Sequence, residues 1–191
     1  MYEIDDDRYC YPGTTVLKNR YGARNQIDLD KLERLRFEQR SKQPLPRGRL
    51  SCSHYCAIHG HLFGSVYAWA GRYRQVRIAK DSSMFCYPEN IRAQMRALFD
   101  EMQGQNRYRD LEAGPFARRA AHFLSDLNAI HPFREGNGRT QNIFIAILAD
   151  QAGHPFETSR LDAHELFDAT VQAFHGDERP LTAVILRALR A

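Results

Sequence analysis

Apolar residues recur along the chain mainly at helical spacings. The charged stretch DLDKLERLRFEQRSK, from Asp28, carries Leu29, Leu32, Leu35 and Phe37 as a rough apolar stripe, and Pro44, Pro46 and Gly48 break it. Ser51 reads as an N-cap. The helix it opens is expected to run to Tyr67, with Ile58, Leu62, Phe63 and Val66 facing inward and Trp69-Ala70-Gly71 ending it. A β signal follows. Val76 and Ile78 alternate with Arg77, and Met84-Phe85-Cys86 comes after the polar turn Lys80-Asp81-Ser82-Ser83, which predicts a hairpin. Pro88 then stands near the start of a helix over 89–103. Phe116, Ala120, Phe123, Leu124 and Leu127 mark the next helix, which stops at His131-Pro132. Its successor starts after Gly138 and is apolar on most sides (Ile143, Phe144, Ala146, Ile147, Leu148, Ala149), so it is expected to be central. Gly153 and Pro155 end it, and helices over 161–174 and 180–190 complete the chain. The pattern predicts an all-α fold with one projecting hairpin.

Size and composition narrow the class. The chain has 191 residues, 43% of them hydrophobic and 26% charged, which suits one soluble domain able to bury a core without disulfides or metals. No run approaches ~18 apolar residues, so a membrane-spanning helix is not expected. The opening MYEIDDDRYCYPGTT does not read as a secretory signal, and four scattered cysteines fit a reducing compartment such as the cytoplasm. The net charge is +4, and all but four of the 27 basic residues are Arg. An Arg in this chain therefore needs a positional argument. No basic run is interleaved with aromatics, so a nucleic-acid partner is not expected; such a binder would show steep salt dependence.

Candidate chemistry gathers between the two long helices, in His131-Pro132-Phe133-Arg134-Glu135-Gly136-Asn137-Gly138-Arg139-Thr140. Gly136 and Gly138 allow unusual backbone conformations and close approach of a ligand. Successive N–H groups in such a turn form an anion nest at the positive end of the following helix. Arg139 adds forked donors suited to phosphate, and Glu135 offers oxygens for Mg²⁺. His131 has the ordinary pKa of a general base near neutrality. No Lys-Ser/Thr pair follows the glycines, so this is not a Walker A loop. Pro132 and the glycines break the helix that a zinc-binding His131–Glu135 pair would need. The plain alternative is a polar interhelical loop with a capping Asn and a hydrogen-bonded His.

HPFREGNGR resembles the signature of Fic-domain proteins, H-x-F-x-D/E-G-N-G-R-x-x-R. Three further segments resemble the family in the right order: YPGTTVLKNRYG near the N-terminus, IHGHLFGSVYAWAGRYRQVRI upstream of the loop, and KDSSMFC as the hairpin flap. The resemblance implies a single domain over 1–191: an N-terminal extension and helix over 1–50, a catalytic core over 51–175 with a flap over 72–88, and a C-terminal helix over 176–191. It implies a Fic-type helical bundle that transfers AMP from ATP to a hydroxyl side chain of a target protein. His131 would be the general base, Phe133 a core anchor and Glu135 the Mg²⁺ ligand. Gly136, Asn137 and Gly138 would hold the α- and β-phosphates, and Arg139 and the flap's Lys80 would also bind nucleotide. The last motif position should be Arg and is Asn142, one helical turn beyond Arg139. A grip on the terminal phosphate is therefore missing from its usual place. A nucleotide-binding domain with impaired catalysis is the alternative this raises.

The resemblance also implies partners. A target segment would dock on the 76–86 flap by strand pairing. No S/T-x-x-x-E-G/N segment flanks the core, which places the chain with members inhibited by a separate small antitoxin, and so with bacterial toxins. Cys52, His54, Cys56, His59 and His61 invite a metal reading, but their spacing matches no closed zinc site. The cysteines are expected to behave as small buried apolar groups, with no His tied by sequence to Cys86 as a nucleophile's base.

Overall fold

The computed structural model describes residues 7–80, 83–157 and 160–189. Among these are seven α-helices: α1 (Gln26–Ser41), α2 (Cys52–Phe63), α3 (Pro88–Gly104), α4 (Ala113–Ile130), α5 (Asn137–Gln151), α6 (Ala163–Phe174) and α7 (Arg179–Ala188). Two short strands, β1 (Ala79–Lys80) and β2 (Ser83–Met84), pair antiparallel. The fold is thus mostly helical with one hairpin, as the periodicity predicts. No described helix is long and apolar enough to cross a membrane. The chain forms two compact units: residues up to Arg92 with His131–Thr140, and Ala93–Ile130 with Gln141 onward.

In the first unit, Asn25 caps α1 by accepting the Asp28 N–H at 2.9 Å. The stripe expected on α1 is narrower than its sequence suggests. Leu29 is buried, but Leu35 is half exposed. Phe37 instead stacks on Phe63 of α2 at 5.7 Å, and Arg40 and His61 exchange bonds between the two helices. The helix opened by Ser51 ends at Phe63, not at Tyr67. Beyond it the N–H groups of Val66 and Tyr67 both bond the Phe63 carbonyl, and turns replace the regular helix.

The hairpin is also shorter than predicted. Its ladder joins Ala79 to Met84 and Lys80 to Ser83, with one further contact from the Phe85 N–H to the Ile78 carbonyl at 3.4 Å. Val76 and Cys86 do not pair. The buried Arg74 guanidinium bonds both of their carbonyls, at 2.7 and 2.5 Å, so a side chain replaces the ladder at the base of the arms. The turn residues Asp81 and Ser82 and the side chain of Lys80 lie outside the described residues.

The second unit is built on aromatic packing. Phe99, Phe123 and Phe144 form a buried triad with ring centroids 5.3–5.8 Å apart. α4 packs on both α6 and α7, and the Ser125 hydroxyl donates to the Ala173 carbonyl. At the rim, His122 Nδ1 lies 2.8 Å from a Glu178 oxygen, which holds its pKa above the ordinary value. Phe123→Ala is expected to cost about 3–5 kcal/mol, because it removes the ring that touches both others and leaves a cavity. Denaturant titration with an unchanged slope would measure that loss.

Candidate active site

The loop leading into α5 is fastened from within and from behind. Asn137 is buried, and its side-chain amide spans the turn. Its Oδ1 accepts the Phe133 N–H at 2.9 Å and its Nδ2 donates to the Phe133 carbonyl at 2.8 Å. That side chain is fully occupied, so Asn137 can offer a ligand only its backbone N–H. Phe133 is buried between Tyr55 and His59, with ring centroids 5.4 and 3.7 Å away. The Gly136 carbonyl accepts both the N–H and the hydroxyl of Thr140. The Thr140 bond is the first of α5, so the N–H groups of Asn137, Gly138 and Arg139 precede it and have no partner among the described residues; of the three residues Gly138 is exposed.

The two glycines do different work. Gly136 has φ +81°, and a Cβ there would lie 2.6 Å from the Phe63 ring. Both conformation and space demand glycine. Gly138 has an ordinary helical φ, and nothing lies within 4 Å of where its Cβ would be. The conformational role expected for Gly138 is therefore absent, while the open approach expected beside it is present.

His131 itself sits at φ +48°, a conformation that few side-chain-bearing residues adopt. Its carbonyl accepts the Arg74 Nε–H at 2.8 Å, the Pro132 carbonyl accepts the Arg74 backbone N–H at 2.8 Å, and Phe85 stacks on its ring at 4.0 Å. One buried Arg thus ties the base of the hairpin to the backbone of the candidate general base. Arg134 anchors the loop's other side through a buried ion pair with Asp7 at 2.7 Å.

Glu135 keeps one carboxylate oxygen for the Gly136 N–H at 2.8 Å. Its side chain is one-third exposed, and its second oxygen has no partner among the described residues. One partly exposed carboxylate beside an anion nest suits Mg²⁺, which takes few protein ligands and completes its shell with water and phosphate oxygens. Arg139 Nη2 is 2.6 Å from Glu33 and 3.4 Å from Glu135. His131, Glu135, Gly136, Asn137, Gly138 and Arg139 are thus brought together in the first unit. Asn142 lies three residues further along α5, half-buried, in the second unit.

The histidines that invited a metal reading are all engaged. His59 Nδ1 accepts the Gly71 N–H at 2.8 Å, so its Nε2–H donates to the Glu135 carbonyl at 2.9 Å. His54 and His61 are held the same way, by Leu50 and Pro46 and by Arg40. Among the described residues no cluster of His, Cys, Asp or Glu is placed to hold a metal ion. Cys10 is buried as expected, whereas Cys52, Cys56 and Cys86 are half-buried. Sequence reading missed Glu33, Arg74 and Arg134 altogether and gave His59 no task. Their partners lie 106, 57, 127 and 76 residues away, and no local spacing signals such pairs.

His59 gives the site a pH dependence. Burial, reinforced by the Arg139 charge and opposed by the Glu135 carbonyl, lowers its pKa from 6.5 to about 4. Between those values the unfolded chain binds a proton that the folded chain refuses. Stability therefore falls as pH drops through that window, by up to about 3 kcal/mol. His122 acts in the opposite sense: its raised pKa adds stability that is complete below the ordinary value and fades as pH rises through the folded one. Thermal melts of the wild type and His59→Gln from pH 7 to 4 separate the two. The variant is expected to lose the acid-side slope while keeping the His122 contribution.

Comparison with known proteins places the chain in a family. The chain is 43% identical over 189 residues to the probable protein adenylyltransferase y4lH of Sinorhizobium fredii, covering 98% of each. It is 36% identical to the protein adenylyltransferase VbhT of Bartonella schoenbuchensis, spanning 98% of this chain and 40% of that one. Among solved structures, the BepC effector of Bartonella tribocorum with bound AMPPNP superposes with a TM-score of 0.85 at 25% identity, over 95% of this chain and 96% of the other. The family model described as Fic/DOC matches residues 49–149, more than half the chain and the whole of the fastened loop. The chain belongs to the Fic/DOC family.

Proposed function

We propose that the protein is a protein adenylyltransferase that transfers AMP from ATP to a hydroxyl side chain of a target protein. The observation that carries this reading is that His131 heads, with its carbonyl fixed by Arg74, the same short loop that ends in the first N–H groups of α5. The target hydroxyl attacks the α-phosphorus, forming a new P–O bond, while the bond to the β-phosphate oxygen breaks and pyrophosphate leaves. His131 takes the hydroxyl proton. The N–H groups of Asn137, Gly138 and Arg139 stabilise the charge on the phosphate oxygens, as an oxyanion hole does. Mg²⁺, held by Glu135, would neutralise the polyphosphate. The names of the relatives, and the AMPPNP bound in the BepC structure, support the same nucleotide chemistry.

The hairpin is the docking element in this reading. An extended target segment would pair with its free edge, next to the Phe85 ring that stacks on His131, and Met84 is exposed there. Such pairing holds a hydroxyl in register without a sequence requirement. Lys80 would reach the nucleotide from the same flap.

His131→Ala is expected to slow transfer by ~10²–10⁴ while ATP still binds. The measurement is the movement of label from α-labelled ATP to protein in a lysate, with binding followed by calorimetry. Transfer at the wild-type rate would refute the mechanism.

Asn142 favours a second reading, a domain that binds nucleotide but transfers AMP poorly. A charge-assisted bond to phosphate contributes roughly 1.5–3 kcal/mol. Restoring a guanidinium with Asn142→Arg is therefore expected to tighten ATP binding from several-fold to about a hundredfold, with no matching gain for ADP. Transfer by the wild type in the lysate assay decides against the second reading.

A further inference from the structure

Arg139 is held in an unusual way for a residue meant to meet phosphate. Its guanidinium lies over the Phe63 ring at 4.6 Å and the Phe37 ring at 5.3 Å, and those rings stack on each other. Nη2 is taken by carboxylates, at 2.6 Å from Glu33 and 3.4 Å from Glu135. The N–H groups of Nε and Nη1 have no partner among the described residues. The Glu33 side chain is 12% exposed, and its second oxygen accepts the hydroxyl of Tyr67. Tyr67 is itself buried and stacks on Trp69 at 4.6 Å. Burial and the neighbouring Glu33 carboxylate push its phenol pKa up, so it stays a donor at every physiological pH.

We infer that Glu33, fixed by Tyr67, is a positioning residue for Arg139: it anchors Nη2 of the guanidinium so that the N–H groups left on Nε and Nη1 are presented in a fixed orientation to nucleotide phosphate oxygens. A guanidinium is a planar fork with five N–H donors. With one face on aromatic rings and Nη2 on Glu33, both its plane and its rotation about the long axis are set. The N–H groups on Nε and Nη1 remain as charged donors, each able to meet a phosphate oxygen from a fixed direction. Without Glu33 the side chain would sample several rotamers, and ordering it on binding would cost affinity. Glu33 cannot readily swing away to make room, because it projects from a helix and its far oxygen is held. Glu33 thus serves as a fixed stop behind Arg139 and does not compete with the ligand. This rests on the nucleotide-binding reading of the loop.

The test is the affinity for Mg·ADP, measured by calorimetry, of the wild type, Arg139→Ala, Glu33→Ala, Glu33→Gln, Tyr67→Phe and the double variant Glu33→Ala/Arg139→Ala. Arg139→Ala is expected to weaken binding by tenfold or more. Glu33→Ala is expected to weaken it by about tenfold in the wild type and by nothing further in the Arg139→Ala background, since the two act as a unit. Glu33→Gln, which still accepts from Nη2, should recover part of the loss, and Tyr67→Phe should cost a few-fold. Melting temperatures confirm that each variant is folded, and Glu33→Gln and Tyr67→Phe carry the test if Glu33→Ala is not. Tighter binding in Glu33→Ala would make Glu33 a competitor and overturn the inference. Equal losses in both backgrounds would make it a merely structural residue, with the same consequence. If Arg139→Ala itself leaves affinity unchanged, the phosphate reading of Arg139 fails together with the inference; if only the Glu33 and Tyr67 variants bind normally, the inference fails alone.

Discussion

A loop proposed to bind an anion through its backbone must be rigid without using the N–H groups it offers. Most of this site follows from that constraint. The Asn137 amide meets it at the centre by closing the turn onto both polar groups of Phe133. The remaining fasteners act mainly on carbonyls: Arg74 on His131 and Pro132, His59 on Glu135, Thr140 on Gly136. Carbonyls pointing at an incoming phosphate would repel it. Tying them back into the protein removes that repulsion and fixes the donors in the same step. The strained φ of His131 is tolerated because the bonds around it determine its place independently.

Side chains also decide where secondary structure stops. Arg74 takes the carbonyls that would have lengthened the hairpin and spends its own N–H on the loop. Hairpin and loop therefore share one buried cation. A displacement of either arm at its base changes the environment of the His131 carbonyl. This is a mechanical link between the element proposed to meet the target and the residue proposed to accept its proton.

Local features were legible in the sequence, and distant ones were not. The sequence located all seven described helices, most of which bury a periodic face, although α1 buries only Leu29. The limits were misread where a backbone group found a partner that periodicity does not encode, as along the hairpin arms, where Arg74 takes the Val76 and Cys86 carbonyls. In the site, the residues between His131 and Arg139 could be grouped by type and spacing alone. The second set, Glu33, His59, Arg74 and Arg134, could not. Each is an ordinary polar residue in its own neighbourhood and gains meaning only from a partner brought close by folding. With Arg so abundant in the chain, composition gave no reason to single out Arg74 or Arg134.

The unequal surroundings of the two glycines separate two kinds of constraint on sequence change. Position 136 is closed by the protein itself: any side chain would meet the Phe63 ring, whatever the chain is used for. Among the described residues nothing closes position 138, so there a bound ligand is what could forbid a side chain. In a lineage that stopped using nucleotide, drift should therefore enter at 138 while 136 stays glycine. A relative with an alanine or serine at the second position, but an intact first one, would carry the record of a lost ligand on an unaltered fold.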